Sequence, residues 1–289
     1  MSAVRLFVPR DSAALAAGAD EVAAALASAC ARRGLAVDIV RNGSRGLLWL
    51  EPMVEVATPA GRVAYGPVQA EDIESLLDHG LLQGGTHALC HGLTEQIPYL
   101  ARQERLTFAR MGLSDPLSLA DYEAHEGWAG LRKSLQLGGA DVVKQVLDSG
   151  LRGRGGAAFP AGIKWRTVLQ AQAVQKYVVC NADEGDSGTF SDRMTLEGDP
   201  YLLIEGMAIA GLAVGATRGV VYIRSEYPHA LATMQQAIAQ ATAAGFLGDS
   251  VCGSGRAFHL EVRQAAGAYV CGEETAMLES IEGKRGIVR

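Results

Sequence analysis

The sequence predicts an α/β protein with two domains. Segments typical of strands and of helices alternate along most of the chain, which is the pattern of a mostly parallel sheet with helices on its faces. A length of 289 residues fits two domains of ordinary size, and a hydrophobic content of 48% is sufficient for packed cores. Because ligands bind at the carboxyl ends of the strands in such sheets, we expect functional side chains where strands end.

Residues 1–85 are predicted to form a small domain with the order β-α-β-β-β-α. Its first helix begins at Asp11 or Ser12, carries apolar residues at helical spacing and ends before Gly34. The strands are expected at Val4–Val8, Leu35–Val40, Trp49–Ala57 and Val63–Tyr65, and a second helix at Val68–Leu82. Residues 86–112 have scattered charges and no clear periodicity, and they are predicted to be a linker.

Residues 113–289 are predicted to form the larger domain. A helix that ends at Gly150 precedes a glycine-rich loop, and another helix begins near Pro160. The later strands are expected at Tyr177–Cys180, Gly219–Arg224 and Phe258–Val262. The later helices are expected at Pro200–Val214, at Pro228–Ala244 and from Gly272 to about Ile281.

Composition excludes several classes of function. The net charge of −6 argues against a nucleic-acid surface, which requires a basic face. No signal peptide is recognisable, and the longest apolar stretch, Met207–Val214, is shorter than the roughly 20 residues of a membrane span. Five scattered cysteines fit reduced thiols, and neither they nor the six histidines have metal-ligand spacing. We therefore expect a cytoplasmic protein with no metal site and no nucleic-acid or membrane partner.

The loop between Gly150 and Trp165 has the composition of an anion site. Its five glycines allow a close approach of the backbone to a ligand, and its arginines and Lys164 favour an anion such as phosphate. It matches neither common phosphate motif, because Ala158 stands where a Rossmann fingerprint has its last glycine and Ile163 follows Gly162 where a P-loop has lysine. The alternative is a flexible surface loop.

Two polar corners follow predicted strands. Asn181, Asp183, Glu184 and Asp186 could bind a ribose diol, the ring N–H groups of a base or flavin, or a metal, or they could form a solvated turn. Gly272-Glu273-Glu274 lies where a strand becomes a helix, so its carboxylates could serve a ligand or simply cap the helix. The segments 191–193 and 224–227 are interpreted as ion-paired turns.

Four motifs in order resemble one family. They read SGLRGRGGAAFPAGIKW, NADEGDSGTFSDR, YIRSEYPHA and GAYVCGEETAMLESIEGKRG. They are similar to the flavin (FMN/NADH-binding) subunits of respiratory complex I and its soluble relatives, from about Leu113 to the end of the chain. Together with the N-terminal α/β domain, they look most like the β subunit of cytosolic NAD-dependent, molybdenum-containing formate dehydrogenase. The diaphorase subunit of NAD-reducing hydrogenases is the alternative.

The resemblance implies a fold for each domain. Residues 1–85 would be a thioredoxin-like domain whose loops at Val8–Asp11 and Asn42–Gly46 lack cysteines, so that it holds no two-iron–two-sulfur cluster and serves for docking. Residues 113–289 would be a Rossmann-like FMN-binding domain with a mostly parallel sheet. The family continues beyond the last motif, so the chain is expected to be truncated at its C-terminus, and a four-iron–four-sulfur cluster is expected only in that further part.

The resemblance also implies the site residues. Around FMN it places Gly153, Arg154, Gly155, Gly156, Lys164, Asn181, Asp183, Glu184, Tyr269, Gly272 and Glu273. Around NAD(H) it places Phe159, which would stack on the adenine, together with Asp186 and Glu274. Glu274 would also tune the flavin, and no side chain acts as an acid or base, since the cofactor carries the hydride chemistry. Asp186 stands where complex I has glutamate, which leaves its direct contact with NADH open.

The implied activity is hydride exchange between NAD(H) and FMN, with electrons passed to or from iron–sulfur centres. The implied partners are a cluster-bearing thioredoxin-like small subunit and the molybdenum catalytic subunit of formate dehydrogenase, or hydrogenase subunits. A non-catalytic fragment that only docks onto partner subunits is an alternative, and a nucleotide-binding regulatory module is another.

Overall fold

The structure is a computed structural model that describes residues 3–154, 156–186 and 188–289. The chain divides into two compact units. The first contains residues up to 118 together with residues 197–199, and the second contains 119–196 and 200–289. The predicted α/β class is confirmed, because each unit combines helices with one sheet.

The first unit is built on a mixed sheet. Its strands are β1 (Val4–Phe7), β2 (Val37–Val40), β3 (Val54–Thr58), β4 (Gly61–Tyr65) and β5 (Cys90–Leu93), and its helices are α1 (Ser12–Ala16), α2 (Ala19–Arg32), α3 (Ile73–Asp78) and α4 (Pro98–Ala101). The sheet order is β2-β1-β3-β4-β5, with β1 and β2 parallel and the other pairs antiparallel. A parallel β-α-β unit therefore continues into the predicted hairpin, as a thioredoxin-like arrangement requires.

The core of this unit lies between the sheet and α2 and α3. Leu6, Val56 and Tyr65 from the strands meet Leu26 and Leu76 from the helices, and all five are buried. Three consecutive residues are buried in each of β3 and β4, and Ala64 of β4 packs in a second buried cluster with Leu50 and Met53, so this part of the sheet is covered on both faces.

The cysteine-free loop Asn42–Gly46 carries a buried polar network. Arg45 is 3% exposed and pairs with Glu55, which is 1% exposed, at 2.9 Å. The Ser44 hydroxyl donates to Glu51 at 2.6 Å, and the Asn42 amide donates to the carbonyl of Gly112 at 2.8 Å. These bonds connect residues 42–46 to β3 and to the end of the unit.

Four parts of the first unit differ from the prediction. The single helix predicted from Asp11 or Ser12 is divided into α1 and α2 at Gly18, which has a left-handed backbone. Within residues 86–112, predicted to be a linker, Cys90–Leu93 forms β5 and pairs with β4, so this segment belongs to the first unit. The strand predicted from Trp49 begins only at Val54, after a 3-10 turn at Leu48–Leu50. The helix predicted at Val68–Leu82 is shorter, because 3-10 turns flank α3 on both sides.

The second unit contains the parallel sheet that the sequence predicts. Its strands are β6 (Tyr177–Ala182), β7 (Arg218–Ile223) and β8 (His259–Gln264), in the order β6-β7-β8 and all parallel. Its helices are α5 (Leu119–Ala124), α6 (Ala129–Gln136), α7 (Gly139–Asp148), α8 (Ala161–Gln170), α9 (Ser191–Gly198, which ends in the first unit), α10 (Pro200–Val214), α11 (Pro228–Ala243) and α12 (Glu274–Ile281).

Helices cover both faces of this sheet. The largely buried helix α10 packs against β6 and β7, and its Gly211 lies so close to the Phe258 ring that an added Cβ would be 2.3 Å from it. On the opposite face, Tyr222 of β7 packs with Met277 of α12 and with Cys271. The central strand β7 is consequently buried, and its carboxyl end lies between those of β6 and β8.

None of the helices in the described ranges combines the length and the apolar character needed to cross a membrane.

Candidate flavin pocket

The carboxyl ends of β6 and β8 form two walls of a pocket. Asp183 and Gly185 follow β6, and Tyr269, Gly272 and Glu273 come from the segment after β8. Together with Val270 they enclose about 530 Å³. Because the pocket lies where parallel strands end, it occupies the position at which this class of sheet binds ligands.

The two walls are joined directly. The Asn181 side chain donates from Nδ2 to the carbonyl of Gly272 at 2.8 Å and accepts at Oδ1 from the Asp183 N–H at 3.2 Å. A Cβ added at Gly272 would be 3.2 Å from the carbonyl oxygen of Asp183, so a glycine suits this close approach. The structure thus brings together the two polar corners that the sequence identified.

Asp183 supplies the polar group that this pocket offers. Its side chain is largely buried, and within the described residues its Oδ2 has no hydrogen-bond partner. Burial raises the pKa of this carboxyl, and the positive charge of Arg224 opposes the rise. A buried oxygen without a partner is costly unless a ligand or water supplies one, so this atom is suited to a donor group on a ligand.

Glu184 points into the protein. Its Oε1 accepts from the Asp192 N–H at 2.9 Å, and its Oε2 accepts from the Arg193 N–H at 3.2 Å. The Tyr227 hydroxyl also donates to Oε2, at 3.1 Å. The carboxylate therefore caps the amino end of α9, where the helix dipole favours a negative charge.

Glu273 lines the pocket and also caps a helix. Its Oε2 accepts from the backbone N–H groups of Thr275 and Ala276, both at 2.9 Å, which starts α12. Hydrogen bonds from Thr275 and Ala276 lower the pKa of Glu273, so it stays ionised. Glu274, the first residue of α12, is exposed and is not among the residues that line the pocket.

The Tyr269 ring covers Gly185. A Cβ added at Gly185 would be 2.8 Å from the ring, and the ring itself is 78% exposed. A flat, accessible aromatic face at the mouth of a polar pocket is suited to contact with a planar ligand.

The glycine-rich loop has its own set of bonds. The Gly153 N–H donates to the carbonyl of Phe159 at 2.8 Å, and Arg152 donates to the carbonyl of Ala158 at 2.6 Å. Lys164 and Phe159 are both exposed, with the ammonium 5.8 Å from the ring centre. A Cβ at Gly156 would meet nothing within 4 Å, and Arg154 is exposed.

Within the described residues, no hydrogen bond or ring contact joins this loop to the pocket. Lys164 is absent from the pocket lining, and the Gly155 assigned to FMN lies outside the described residues. Asp186, assigned to NAD(H), is exposed, and its Oδ1 accepts from the Gly188 N–H at 3.2 Å in a local turn. The pocket as described therefore contains Asp183, Tyr269, Gly272 and Glu273 of the predicted set.

The sequence did not indicate that Gly185 and Val270 line the pocket, or that Arg224 donates a hydrogen bond to the carbonyl of Glu184. The motif around Arg224 was interpreted only as an ion-paired turn, and Arg224 does pair with Glu226 at 3.1 Å. An arginine directly after a central strand was the signal that could have identified it.

A second, larger cavity of about 690 Å³ lies against the face of the same sheet that α12 covers. Its lining includes the first residues of the three strands, Tyr177, Arg218 and His259, mid-strand residues such as Val179 and Val220, and residues of α12. The smaller pocket is the better candidate for a ligand site, because it lies at the carboxyl ends of the strands. It also contains the buried Oδ2 of Asp183, which has no hydrogen-bond partner within the described residues.

Comparison with known proteins agrees with the geometry. Residues 146–289 match the Nuo51 FMN-binding domain family. The chain is 54% identical over 185 residues to the NADP-reducing hydrogenase subunit HndC of Solidesulfovibrio fructosivorans, a match that covers 64% of this chain and 38% of that protein. It is 44% identical over 165 residues to the mitochondrial NADH dehydrogenase (ubiquinone) flavoprotein 1 of Dictyostelium discoideum, a match that covers 56% of this chain and 34% of that protein.

A similar structure covers the whole chain. The crystal structure of an NAD⁺-reducing [NiFe]-hydrogenase in its air-oxidised state aligns over 100% of this chain and 47% of the hydrogenase chain, with 26% identity and a TM-score of 0.51. The chain thus spans less than half the length of each of these relatives.

Proposed function

Residues 146–289 belong to the Nuo51 FMN-binding domain family, and on that premise we propose that the second unit is an FMN-containing NADH dehydrogenase (diaphorase) module. It exchanges hydride between NAD(H) and FMN and passes electrons to or from iron–sulfur centres. The observation that supports this most is the pocket at the ends of β6 and β8, with the buried Oδ2 of Asp183 facing no partner in the described residues.

The residues of the pocket fit a flavin. Asp183 offers an oxygen to a polar N–H or O–H of the cofactor, Gly272 allows the backbone close approach, and Tyr269 presents an aromatic face. Bound FMN would supply the hydride chemistry, while the protein orients the reactants and sets their electrostatic surroundings. Glu184 and Glu273 contribute by fixing the two walls through the helices that they cap.

The glycine-rich loop is proposed to hold the phosphate of FMN. Gly153 and Gly156 leave room for a ligand beside the backbone, and Arg154 and Lys164 supply positive charge. Phe159 is exposed and suited to stack on the adenine of NADH, with Asp186 and Glu274 near the remainder of that substrate.

We further propose the kind of complex in which this module works. The N-terminal unit favours a β subunit of NAD-dependent formate dehydrogenase, with a molybdenum catalytic subunit and a cluster-bearing thioredoxin-like small subunit as partners. The similarity to a hydrogenase subunit and to a hydrogenase structure supports a hydrogenase diaphorase equally well. In either case we propose a cytoplasmic site of action.

Purification of the chain tests the proposal. The expected result is a yellow protein that contains FMN and reduces ferricyanide with NADH. In the Asp183→Leu variant, FMN content is expected to fall while the fold, followed by circular dichroism, is retained. A matched control is Asp249→Leu, at an exposed position outside the pocket.

The second candidate function is a docking fragment without catalysis. It is favoured by the glycine-rich loop, since within the described residues none of its side chains lines the pocket. A colourless protein that remains free of flavin after incubation with FMN supports this candidate and contradicts the first. Mass spectrometry of the native complex then distinguishes a formate dehydrogenase from a hydrogenase, because a molybdopterin subunit indicates the former and a nickel–iron subunit the latter.

A further inference from the structure

The turn from Arg224 to Tyr227 lies at the carboxyl end of the central strand β7. It lines neither of the two cavities described above. Since β7 lies between β6 and β8, this turn is next to both segments that form the walls of the flavin pocket.

Arg224 holds the wall that follows β6. Its Nη1 donates to the carbonyl oxygen of Glu184, and its own N–H donates to the carbonyl of Ala182 at 3.3 Å. The Tyr227 hydroxyl reaches the Glu184 side chain from the same turn, at 3.1 Å. Glu184 stands between Asp183 and Gly185, so the turn holds the residue whose two neighbours line the pocket.

The same turn contacts the wall that follows β8. A Cβ added at Gly267 would be 3.0 Å from Oγ of Ser225, so the two segments are in close contact, and the left-handed backbone at this position (φ +76°) favours glycine. Gly267 leads directly into the helical turn Tyr269–Gly272 that completes the pocket. Both walls of the pocket therefore pack against the turn from Arg224 to Tyr227.

The guanidinium of Arg224 is itself held in place. It pairs with Glu226 at 3.1 Å and lies 4.9 Å from the centre of the Tyr227 ring, and its side chain is only 12% exposed. Burial raises the pKa of Asp183, and the positive charge of Arg224 acts in the opposite direction. An arginine suits this position, because its separate nitrogens reach the Glu184 carbonyl and the Glu226 carboxylate at once, whereas all donors of a lysine lie on one nitrogen.

We propose that Arg224 is a positioning residue of the flavin pocket, which fixes the wall from Asp183 to Gly185 and whose positive charge favours the ionised form of Asp183. This inference rests on the proposed function for its ligand, whereas the positioning itself is a property of the chain.

The test compares Arg224→Gln with Arg218→Gln in the 289-residue chain. Arg218 begins the same strand at its opposite end, and it is exposed, so its replacement removes the same charge far from the pocket. FMN binding is measured by the quenching of flavin fluorescence between pH 5 and 8. Backbone hydrogen exchange is measured in peptides that cover residues 182–186 and 267–273.

The expected result is at least tenfold weaker FMN binding in Arg224→Gln, which corresponds to the loss of a charged hydrogen bond. Exchange is expected to increase in both peptides, and the pH midpoint of FMN binding is expected to rise. Arg218→Gln is expected to stay within twofold of the wild type. Arg224→Lys keeps the positive charge but lacks the guanidinium group. It is expected to retain the pH midpoint of FMN binding, while backbone hydrogen exchange in the two peptides still increases.

Unchanged exchange in both peptides of Arg224→Gln overturns the inference, whether or not FMN binds. If the wild-type protein binds no FMN, the proposed function fails, and the exchange result alone decides the role of Arg224. If Arg224→Gln does not fold, the comparison is made with Arg224→Lys, where wild-type exchange in the two peptides contradicts the inference.

Discussion

Asn181 and Gly272 connect the two walls of the candidate flavin pocket, because Nδ2 of Asn181 donates to the carbonyl of Gly272 at 2.8 Å. Asn181 is the penultimate residue of β6, and Gly272 ends the helical turn after β8, so 91 positions in the chain separate them. The same asparagine accepts from the N–H of Asp183 at 3.2 Å. One side chain thus sets both the spacing of the walls and the backbone at the buried carboxyl.

We expect Asn181→Ala to weaken FMN binding more than it weakens the fold. Each lost hydrogen bond contributes about 1 kcal/mol or less to the free energy of unfolding, since the site is exposed. The distance between the two walls of the pocket, however, depends on both hydrogen bonds of Asn181. Flavin titration and urea unfolding of the same samples provide the measurement, with Gln264→Ala at the exposed end of β8 as the control. Wild-type affinity in Asn181→Ala would show that the walls keep their spacing without it.

We expect Glu273→Ala to lower the melting temperature and Glu273→Gln to lower it less. The carboxylate accepts from the N–H of Thr275 and Ala276, and an amide oxygen replaces only part of that cap. The pKa of Glu273 is lowered in the folded protein. Its contribution is therefore present above the unfolded pKa and lost as the pH falls through the folded value. Thermal melts from pH 7 down to pH 3 should show a smaller loss of stability in Glu273→Gln than in the wild type.

Several elements were predictable because local sequence and tertiary packing agree. The helix Pro200–Val214 is predicted and observed with the same bounds, since proline suits its first turn and an almost continuous apolar run suits a buried helix. The parallel strands β6 and β7 were recognised from short apolar runs followed by polar residues, and β8 from its alternating pattern. These patterns are sufficient to place a site at the strand ends. The strand expected immediately before Gly272 was wrong, because Tyr269–Gly272 forms a 3-10 turn.

Other features depend on partners that are distant in the chain. The strand Cys90–Leu93 contains Gly92 at φ +75° and has no alternating pattern, so only its pairing with β4 defines it. Glu184 looks like a ligand in the sequence, but the N–H groups of α9 occupy its carboxylate. Gly162 looks like part of an anion loop, but a Cβ there would be 2.5 Å from Cα of Leu147, so it serves the packing of α8 on α7.

We expect Ala158→Gly to stabilise the glycine-rich loop. Ala158 has φ +46°, a left-handed conformation that costs an L-residue with a side chain about 1 kcal/mol relative to glycine. The free energy of unfolding of the second unit should rise by up to about 1 kcal/mol. The matched control is Ala161→Gly, at the first position of α8, where glycine is expected to destabilise by a similar amount. Destabilisation by both variants would contradict the prediction.

We expect Glu274→Gln to raise the midpoint potential of bound FMN. A negative charge about 8 Å from the reduced ring shifts a two-electron couple by at most on the order of 45 mV at an effective dielectric near 20. Because Glu274 is exposed, solvent screening keeps the shift below that bound. A redox titration of the flavin provides the measurement. An unchanged or lower potential in the variant removes the tuning role from Glu274.

We expect the stability of the first unit to depend on pH through the buried Glu51. Burial and the nearby charge of Asp11 raise the pKa of Glu51 from 4.5 to about 7. A raised folded pKa means that the folded protein binds this proton more tightly. The resulting stability is fully present below pH 4.5 and is lost as the pH rises through 7. The shift in pKa from 4.5 to about 7 corresponds to about 3 kcal/mol in the free energy of unfolding.

In the wild type, the opening free energy of the amides in β1 and β3, measured by hydrogen exchange, should therefore fall between pH 5 and 7. Glu51→Gln should remove this dependence, because the amide keeps an acceptor for the Ser44 hydroxyl but does not titrate. Glu71→Gln, at an exposed position of the same unit, serves as the control and should behave as the wild type does. If the slope persists in Glu51→Gln, another group is responsible for it, and Glu51 is ionised in the folded protein in spite of its burial.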